Sequence, residues 1–590
     1  MNNQKDPNLF FAIGAMLLIM GGWHYFYEMP RQEAIVAQHL TADRAAPAAT
    51  GESTAHHAAP AAHQPTALQY AQDAAGLKAG AISGTRIAID TPFLTGSFNT
   101  RGSVFDDLSL KNYQATVAED SPLVSLWNAQ GSKSRTLMEV SWTGPKDEAP
   151  NTTTVWQTAS QKLTPTSPVS LTWQSPGGLV YLRKISVDAN YLFTIEDTVI
   201  NQGTAPVTLS SQARVHRIGT PEVSGYAVLH EGPIGHMDHK LFEVSYDDIQ
   251  KDFPKTTVTG GWIGYSDQYW LSALMPKQDE KIIPIGEKIT QNGTDVYAIG
   301  YQTEAKVLAP GQQIAMTHHC YGGAKIVSLL DQYEKLLTVE HLDKAVDFGW
   351  FYIITKPVFF CLAYLKEWIG NFGLAILLLT ILVKLLFFPL ANKSYRSMGR
   401  MRTLQPKIKA IQTRFKDDKV QQHQATMALY KKEKVNPMAG CLPMIVQIPV
   451  FFSLYKVLFI SIEMRHAPFF GWINDLAAPD PTSVFNLFGL IPWDPPSFLM
   501  IGVWPLLMGG TMFWQQKLSP APADPAQEKA FLIMPVVFTY LFATFPAGLV
   551  IYWTWNNFLS IGQQWWMMRA TALEAAAAEI LPPHANDKKR

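Results

Sequence analysis

Two hydrophobic patterns divide this chain. From about Ala81 to Tyr321, short runs alternate apolar and polar side chains: RIAIDT, LVYLRKISV, YLFTIEDTVI, PVTLSSQARVHRI and TDVYAIGYQT, separated by clusters of Gly, Pro, Asn and Asp. Period-two alternation with regular turn clusters predicts an antiparallel β-sandwich. A stretch of about 240 residues is long enough to hold its own core. Beyond residue 370 long apolar runs take over, at 370–390, 441–462, 498–514, 530–545 and 549–568. Each approaches the roughly 20 residues that cross a bilayer as a helix. The last two are hinged at Phe545-Pro546-Ala547-Gly548.

Another apolar run, Leu9 to Tyr27, closes with Trp23, Tyr25, Phe26 and Tyr27, aromatics that suit a membrane–water interface. It reads as a cleaved signal peptide or an uncleaved anchor. Lys5 is the one basic side chain before it and no small-residue cleavage site follows at once, which favours the anchor, residues 1–28. Residues 29–80 are rich in Ala, Pro, Thr and His and bury too little apolar surface to order, so they form a flexible linker. The β domain then occupies 81–323. Ala324 to Asp347 carries leucines at helical spacing, and FGWFYIITKPVFFCLAYLKEWIG is apolar but interrupted by Lys356, Pro357, Lys366 and Glu367. Residues 324–369 thus read as a helix plus an amphipathic helix in the interface, with a spanning helix as the alternative.

Composition supports a membrane assignment and charge orients it. Of the 590 residues 47% are hydrophobic and 16% charged, and the formal net charge is zero. That zero conceals an asymmetry. Between residues 391 and 440 a dense set of Lys and Arg, including Arg400, Arg402, Lys407, Lys409 and Arg414, faces three acids, Asp417, Asp418 and Glu433. Such an excess places the segment on the cytoplasmic side, as a helical hairpin turning near Asp417–Lys419. The loop 463–497 has one Arg, no Lys, and Glu463, Asp475, Asp480 and Asp494, which fits the outside; 515–529 returns inside. The tally is six spans with both termini inside, ending in a tail from 569 to 590.

Candidate chemistry is sparse. The three cysteines, Cys320, Cys361 and Cys441, build neither a disulfide framework nor a CxxC site. No Walker A, GxGxxG or HExxH pattern occurs. In the β domain His216, His230, His236 and His239 are the candidate cluster, and HEGPIGHMDH reads as a polar loop rather than a metal site. The anomaly is Lys384, enclosed by Leu, Ile, Val and Phe within 370–390, with Thr380 one turn earlier on the same face. An ammonium in hydrocarbon costs about 2.5–3.5 kcal/mol on insertion scales. It needs a wet cavity, a partner, or a snorkelling route past nearby Pro389. Gln447 is either a groove residue or a helix–helix hydrogen bond. Lys456 lies toward the outer end of its span and reads as snorkelling.

Several long stretches in this order resemble one family: MRTLQPKIKAIQTRF, MALYKKEKVNPMAGCLPMIVQIPVFFSLY, TMFWQQKLSP and MPVVFTYLFATFPAGLVIYW. They are similar to the membrane protein insertases of the YidC/Oxa/Alb family, in the Gram-negative type with a large periplasmic domain. The resemblance covers nearly the whole chain. It implies an α-helical polytopic protein of six spans, five of them the insertase core, with a periplasmic all-β supersandwich. It implies a non-enzymatic, cofactor-free insertase and chaperone of the bacterial inner membrane. The implied device is a hydrophilic groove open to the cytoplasm. The groove charge, usually Arg, falls here on Lys384, the accompanying threonine on Thr380, and the substrate-contacting aromatics on Tyr552 and Trp553. Implied partners are nascent membrane proteins, the lipid bilayer, the Sec translocon (SecYEG, SecDF), the ribosome and the signal recognition particle pathway, with no DNA. The basic hairpin fixes topology, recruits substrate, or contacts ribosomal RNA. Two other function classes remain open: a solute transporter or channel with a periplasmic sensing domain, for which the core shows no internal repeat, and a sugar-binding protein acting through the β domain.

Overall fold

The computed structural model describes residues 84–580, apart from 129–134, 222–228, 292, 350, 417, 434, 436–441, 494, 497–498 and 520–524. The expected first span and linker lie outside the described residues. The chain divides into two units: residues 58–359 with 453–467, and the remainder, 1–57, 360–452 and 468–590.

The first unit is β-rich. One eleven-stranded sheet runs in the order Val258–Thr259, Lys281–Gln291, Thr294–Thr303, Val207–Ile218, Arg135–Thr143, Leu123–Asn128, Val104–Gln114, Leu94–Asn99, Arg86–Asp90 and Lys162–Leu163; Lys306–Leu308 pairs with Val207–Ile218. An eight-stranded sheet runs Lys240–Glu243, Gly232–Met237, Trp262–Ser266, Trp270–Pro276, Gln313–Ala324, Leu192–Asn201, Leu179–Val187 and Val169–Gln174. All five runs read from alternation are strands. The buried faces of the two sheets carry Phe98, Phe105, Trp127 and Phe193 in ring contact. Hydrogen bonds join one sheet to the other, among them Trp127 Nε1 to Ser272 Oγ at 2.9 Å, Trp142 Nε1 to Asp197 Oδ2 at 2.7 Å, and His318 with Ser211 Oγ at 2.7 Å.

HEGPIGHMDH is not a loop. Gly232–Met237 is a buried strand paired on both sides. Its glycines are needed there: a Cβ on Gly235 would meet the Phe242 ring and Trp262 O at 2.5 Å. The helix expected over 324–347 is shorter, α1 at Val327–Leu337, ended by Thr338 in the left-handed region and followed by a 3-10 turn at Leu342–Ala345. Next, α2 (Tyr352–Ile369) is continuous through Pro357. Lys356, taken from sequence as an interruption, is fixed to Asp331 at 3.0 Å and Asp343 at 2.6 Å. Lys456 does not snorkel either: it pairs with Asp347 at 2.5 Å within this unit.

The second unit is helical. Asn371 caps α3 (Phe372–Leu386), accepting from Leu374 N at 3.0 Å. The run expected to continue to Leu390 instead bends by 69° into α4 (Phe388–Thr403). Pro389 sits in the first turn of α4, where its missing N–H needs no partner. The basic hairpin follows as α5 (Gln405–Arg414) and α6 (Lys419–Lys432), with Asp418 capping α6 and Asp417 outside the described residues. Leu404, Ile408 and Val435 bury its apolar side. Then come α7 (Leu442–Ile460), α8 (Val503–Leu518), α9 (Pro525–Phe542) and α10 (Ala547–Ile580). Gln515 and Gln516, assigned from sequence to a loop, are the last turn of α8. α8 and α9 approach closely at Gly509, where a Cβ would lie 2.0 Å from Thr539 Oγ1. Among the described residues no single helix is both long and apolar enough to cross a membrane; α3 and α4 pass that test together, and shorter apolar helices cover Gln447–Ile460 and Lys529–Phe542.

A polar cavity in the helical unit

A cavity of about 350 Å³ opens within the helical unit. Its polar wall is one face of α10. Trp553, Asn556, Asn557, Ser560 and Gln564 recur at three- and four-residue spacing, which stacks them along one side of the helix. α3 contributes Lys384, α4 Tyr395 and Met398, and α7 Gln447, Ile448 and Phe451. α8 supplies Met512, Gln515 and Gln516, and α9 supplies Phe531 and Met534. The lining is rich in amides, and among the described residues Lys384 carries its one formal charge.

Hydrogen bonds fix the polar groups. Lys384 Nζ donates to Ser560 Oγ at 2.7 Å, and that hydroxyl donates to Asn556 O at 2.7 Å. No carboxylate pairs with Lys384 among the described residues. Gln447 Nε2 donates to the Tyr552 hydroxyl, so Gln447 is at once a cavity residue and an interhelical bond. Asn557 Nδ2 reaches Thr511 Oγ1 at 3.3 Å. Trp553 stands in an aromatic wall with Phe451 at 4.7 Å and Phe542 at 5.1 Å.

Four of the five expected groove residues, Lys384, Gln447, Tyr552 and Trp553, therefore line one cavity. Thr380 does not. It is buried and donates to Ile376 O at 2.7 Å, the carbonyl one turn back. Sequence reasoning missed Tyr395, Gln515, Gln516 and the Asn556, Asn557, Ser560, Gln564 stripe. Polar residues at helical spacing inside an apolar run were the available signal for the stripe. The five cations expected on the hairpin are all exposed, but Arg400 and Arg402 lie in the last turn of α4 and only Lys407, Lys409 and Arg414 on α5; Lys407 pairs with Glu433 at 2.8 Å and Arg414 lies 5.5 Å from the Phe415 ring.

The β unit's histidines do not converge. His216 pairs with Glu139 at 3.1 Å, His230 contacts Pro233 O, and His239 contacts Glu340. Burial, with His341 beside it, pushes His236 down to about 4 and keeps it neutral. Glu334, His341 and Asp343 place ligand atoms within 4.8 Å of one another. Asp343, however, already accepts from Lys356 at 2.6 Å and Tyr352 at 2.5 Å.

Known proteins match both units. The family model described as 60Kd inner membrane protein covers residues 364–574, and that described as YidC periplasmic domain covers 86–361. The membrane protein insertase YidC of Methylobacterium radiotolerans is 45% identical, over 97% of this chain and 96% of its own length. That of Rickettsia bellii is 44% identical, over 96% of this chain and 99% of its own. A crystal structure of an active YidC insertase with its first transmembrane domain resolved aligns at 17% identity with a TM-score of 0.35, over 82% of this chain and 92% of that one. A periplasmic β domain joined to a helical inner-membrane region defines the class. The chain belongs to the YidC family of membrane protein insertases.

Proposed function

We propose that this protein inserts nascent membrane proteins into the bacterial inner membrane and helps them fold and assemble, alone or beside the Sec translocon, without nucleotide hydrolysis or other catalysis. The reading rests on one observation: among the described residues Lys384 pairs with no carboxylate and is the sole formal charge lining an otherwise neutral, amide-rich cavity. A substrate span of about 20 residues gains roughly 6–12 kcal/mol on entering the bilayer, so partitioning runs downhill. The barrier is the polar flank that must cross, at a few kcal/mol per charge. A wet cavity shortens that crossing, and a fixed cation in a low-dielectric wall attracts an acidic flank.

In this arrangement Lys384, Gln447, Tyr552 and Trp553 meet the hydrophilic flank while the apolar segment passes the lipid side. Thr380 supports the α3 backbone one turn before the cation. The bent α3–α4 pair, α7, α8, α9 and α10 provide the five-span core, and residues 1–28 the sixth span, with both termini cytoplasmic and the β domain, a supersandwich, periplasmic. The spans are 370–390, 441–462, 498–514, 530–545 and 549–568, with α2 in the interface. Arg400 and Arg402 at the end of α4 and Lys407, Lys409 and Arg414 on the cytoplasmic hairpin recruit substrate, and the ribosome and signal recognition particle pathway deliver it.

Reconstitution tests this. Purified protein in proteoliposomes is given a small single-span substrate with an acidic outside tail, and tail protection from protease is scored. Wild type and Lys384→Arg protect the tail; Lys384→Leu does not. Equal protection by Lys384→Leu removes the cation from the mechanism. Failure of wild type to exceed empty liposomes refutes autonomous insertion.

A further inference from the structure

We infer that Ser560 and Gln564 complete the cavity cation into a two-donor receptor for a carboxylate on the passing segment. This deepens the insertase reading and rests on it. An ammonium is a compact charge on a flexible stem, without the planar fork that grips both oxygens of a carboxylate. Left loose, it swings toward the nearest polar surface. Here it is tethered: Lys384 Nζ donates to Ser560 Oγ at 2.7 Å, and Ser560, 2% exposed, donates its own hydrogen to Asn556 O at 2.7 Å. With that hydrogen committed, the hydroxyl presents only lone pairs to the ammonium. The tether occupies one of three ammonium N–H groups and leaves two for other acceptors.

Gln564 provides the second donor. It is 1% exposed, lines the same cavity, and its Nε2 has no partner among the described residues. It follows Ser560 by four positions, so the two side chains sit on one face about 5–6 Å apart. A buried donor without a partner destabilises the fold, and at a cavity wall water or a ligand supplies the acceptor. Among the described residues no Asp or Glu lines the cavity to take that place. The oxygen that Gln564 and Lys384 can share therefore arrives with the substrate. Asn556 Oδ1, also without a partner, offers the complementary acceptor to a backbone N–H of the same segment. Ser560 acts through Lys384 and is a positioning residue; Gln564 touches the carboxylate directly.

The test uses the full-length chain in proteoliposomes and two substrates that differ only in Asp against Asn in the outside tail. Ser560→Ala and Gln564→Leu should each lower Asp-tail insertion by roughly ten- to a hundredfold, as expected for a hydrogen bond involving a charged group, and lower Asn-tail insertion far less. Ser560→Thr keeps the hydroxyl and should retain activity. Gln564→Glu supplies an internal carboxylate for Lys384 and should abolish the preference for the Asp tail. Equal losses on both tails overturn the inference while leaving the insertase reading intact. Wild type inserting neither tail sinks that reading itself.

Discussion

Removing the carboxylate of Asp197 is the sharpest test of how the β unit is held together. Asp197 is 2% exposed and joins the two sheets. It accepts from Arg183 Nε and Nη2 at 2.7 Å each, and from Trp142 Nε1 at 2.7 Å. Arg183 is 1% exposed; its other contacts are Val140 O at 2.7 Å and the Trp156 ring at 4.8 Å. In Asp197→Ala the guanidinium stays buried, cannot shed its proton, and loses its counter-charge. Breaking a buried pair this way costs about 3–5 kcal/mol, and the orphaned indole N–H adds about 1–3 kcal/mol. The sum approaches the whole stability of an ordinary domain, about 5–15 kcal/mol. Replacing both partners, Arg183→Met with Asp197→Leu, removes the isolated charge and should recover most of the loss, leaving chiefly the Trp142 term. Pulse proteolysis of the β unit across a urea series, on the intact chain in detergent, reads both values. If Asp197→Ala lies within 1 kcal/mol of wild type, or the double variant is no better than the single, the reasoning is wrong.

Three further outcomes are expected. His318, bonded to Ser211 and Tyr301, is pushed by burial down to about 4 from the usual 6.5. The unfolded chain therefore binds the proton first as pH falls, and stability should drop between pH 6.5 and 4 by up to about 3 kcal/mol, a slope that His318→Gln should flatten in thermal melts. Gly509→Val should wedge α8 from α9 at Thr539 Oγ1, costing about 1–3 kcal/mol and lowering both the melting temperature and insertion; an unchanged melting temperature would count against the close approach. Lys456→Met should destabilise by about 1–3 kcal/mol through loss of the Asp347 pair, and exchanging the charges, Lys456→Asp with Asp347→Lys, should restore part of it; a free, snorkelling Lys456 predicts neither effect.

Local periodicity determined much of this protein by itself. Alternation marked the strands because a strand buried on one face must show period two, whatever it packs against. Apolar length marked the helical region, and Lys384 stood out because a charge inside such a run demands an explanation. Family resemblance supplied Tyr552 and Trp553. Other features had no local signature. HEGPIGHMDH reads as a polar loop in isolation; in the fold, missing side chains are what let Phe242 and Trp262 close on Gly235. The partner of Lys456 lies 109 residues away and that of Lys384 lies 176 away. Periodicity tells which side of an element is polar, not which polar side it will meet. Lys384 became a tethered cavity cation, and Lys456 an ion pair, only when packing chose their neighbours.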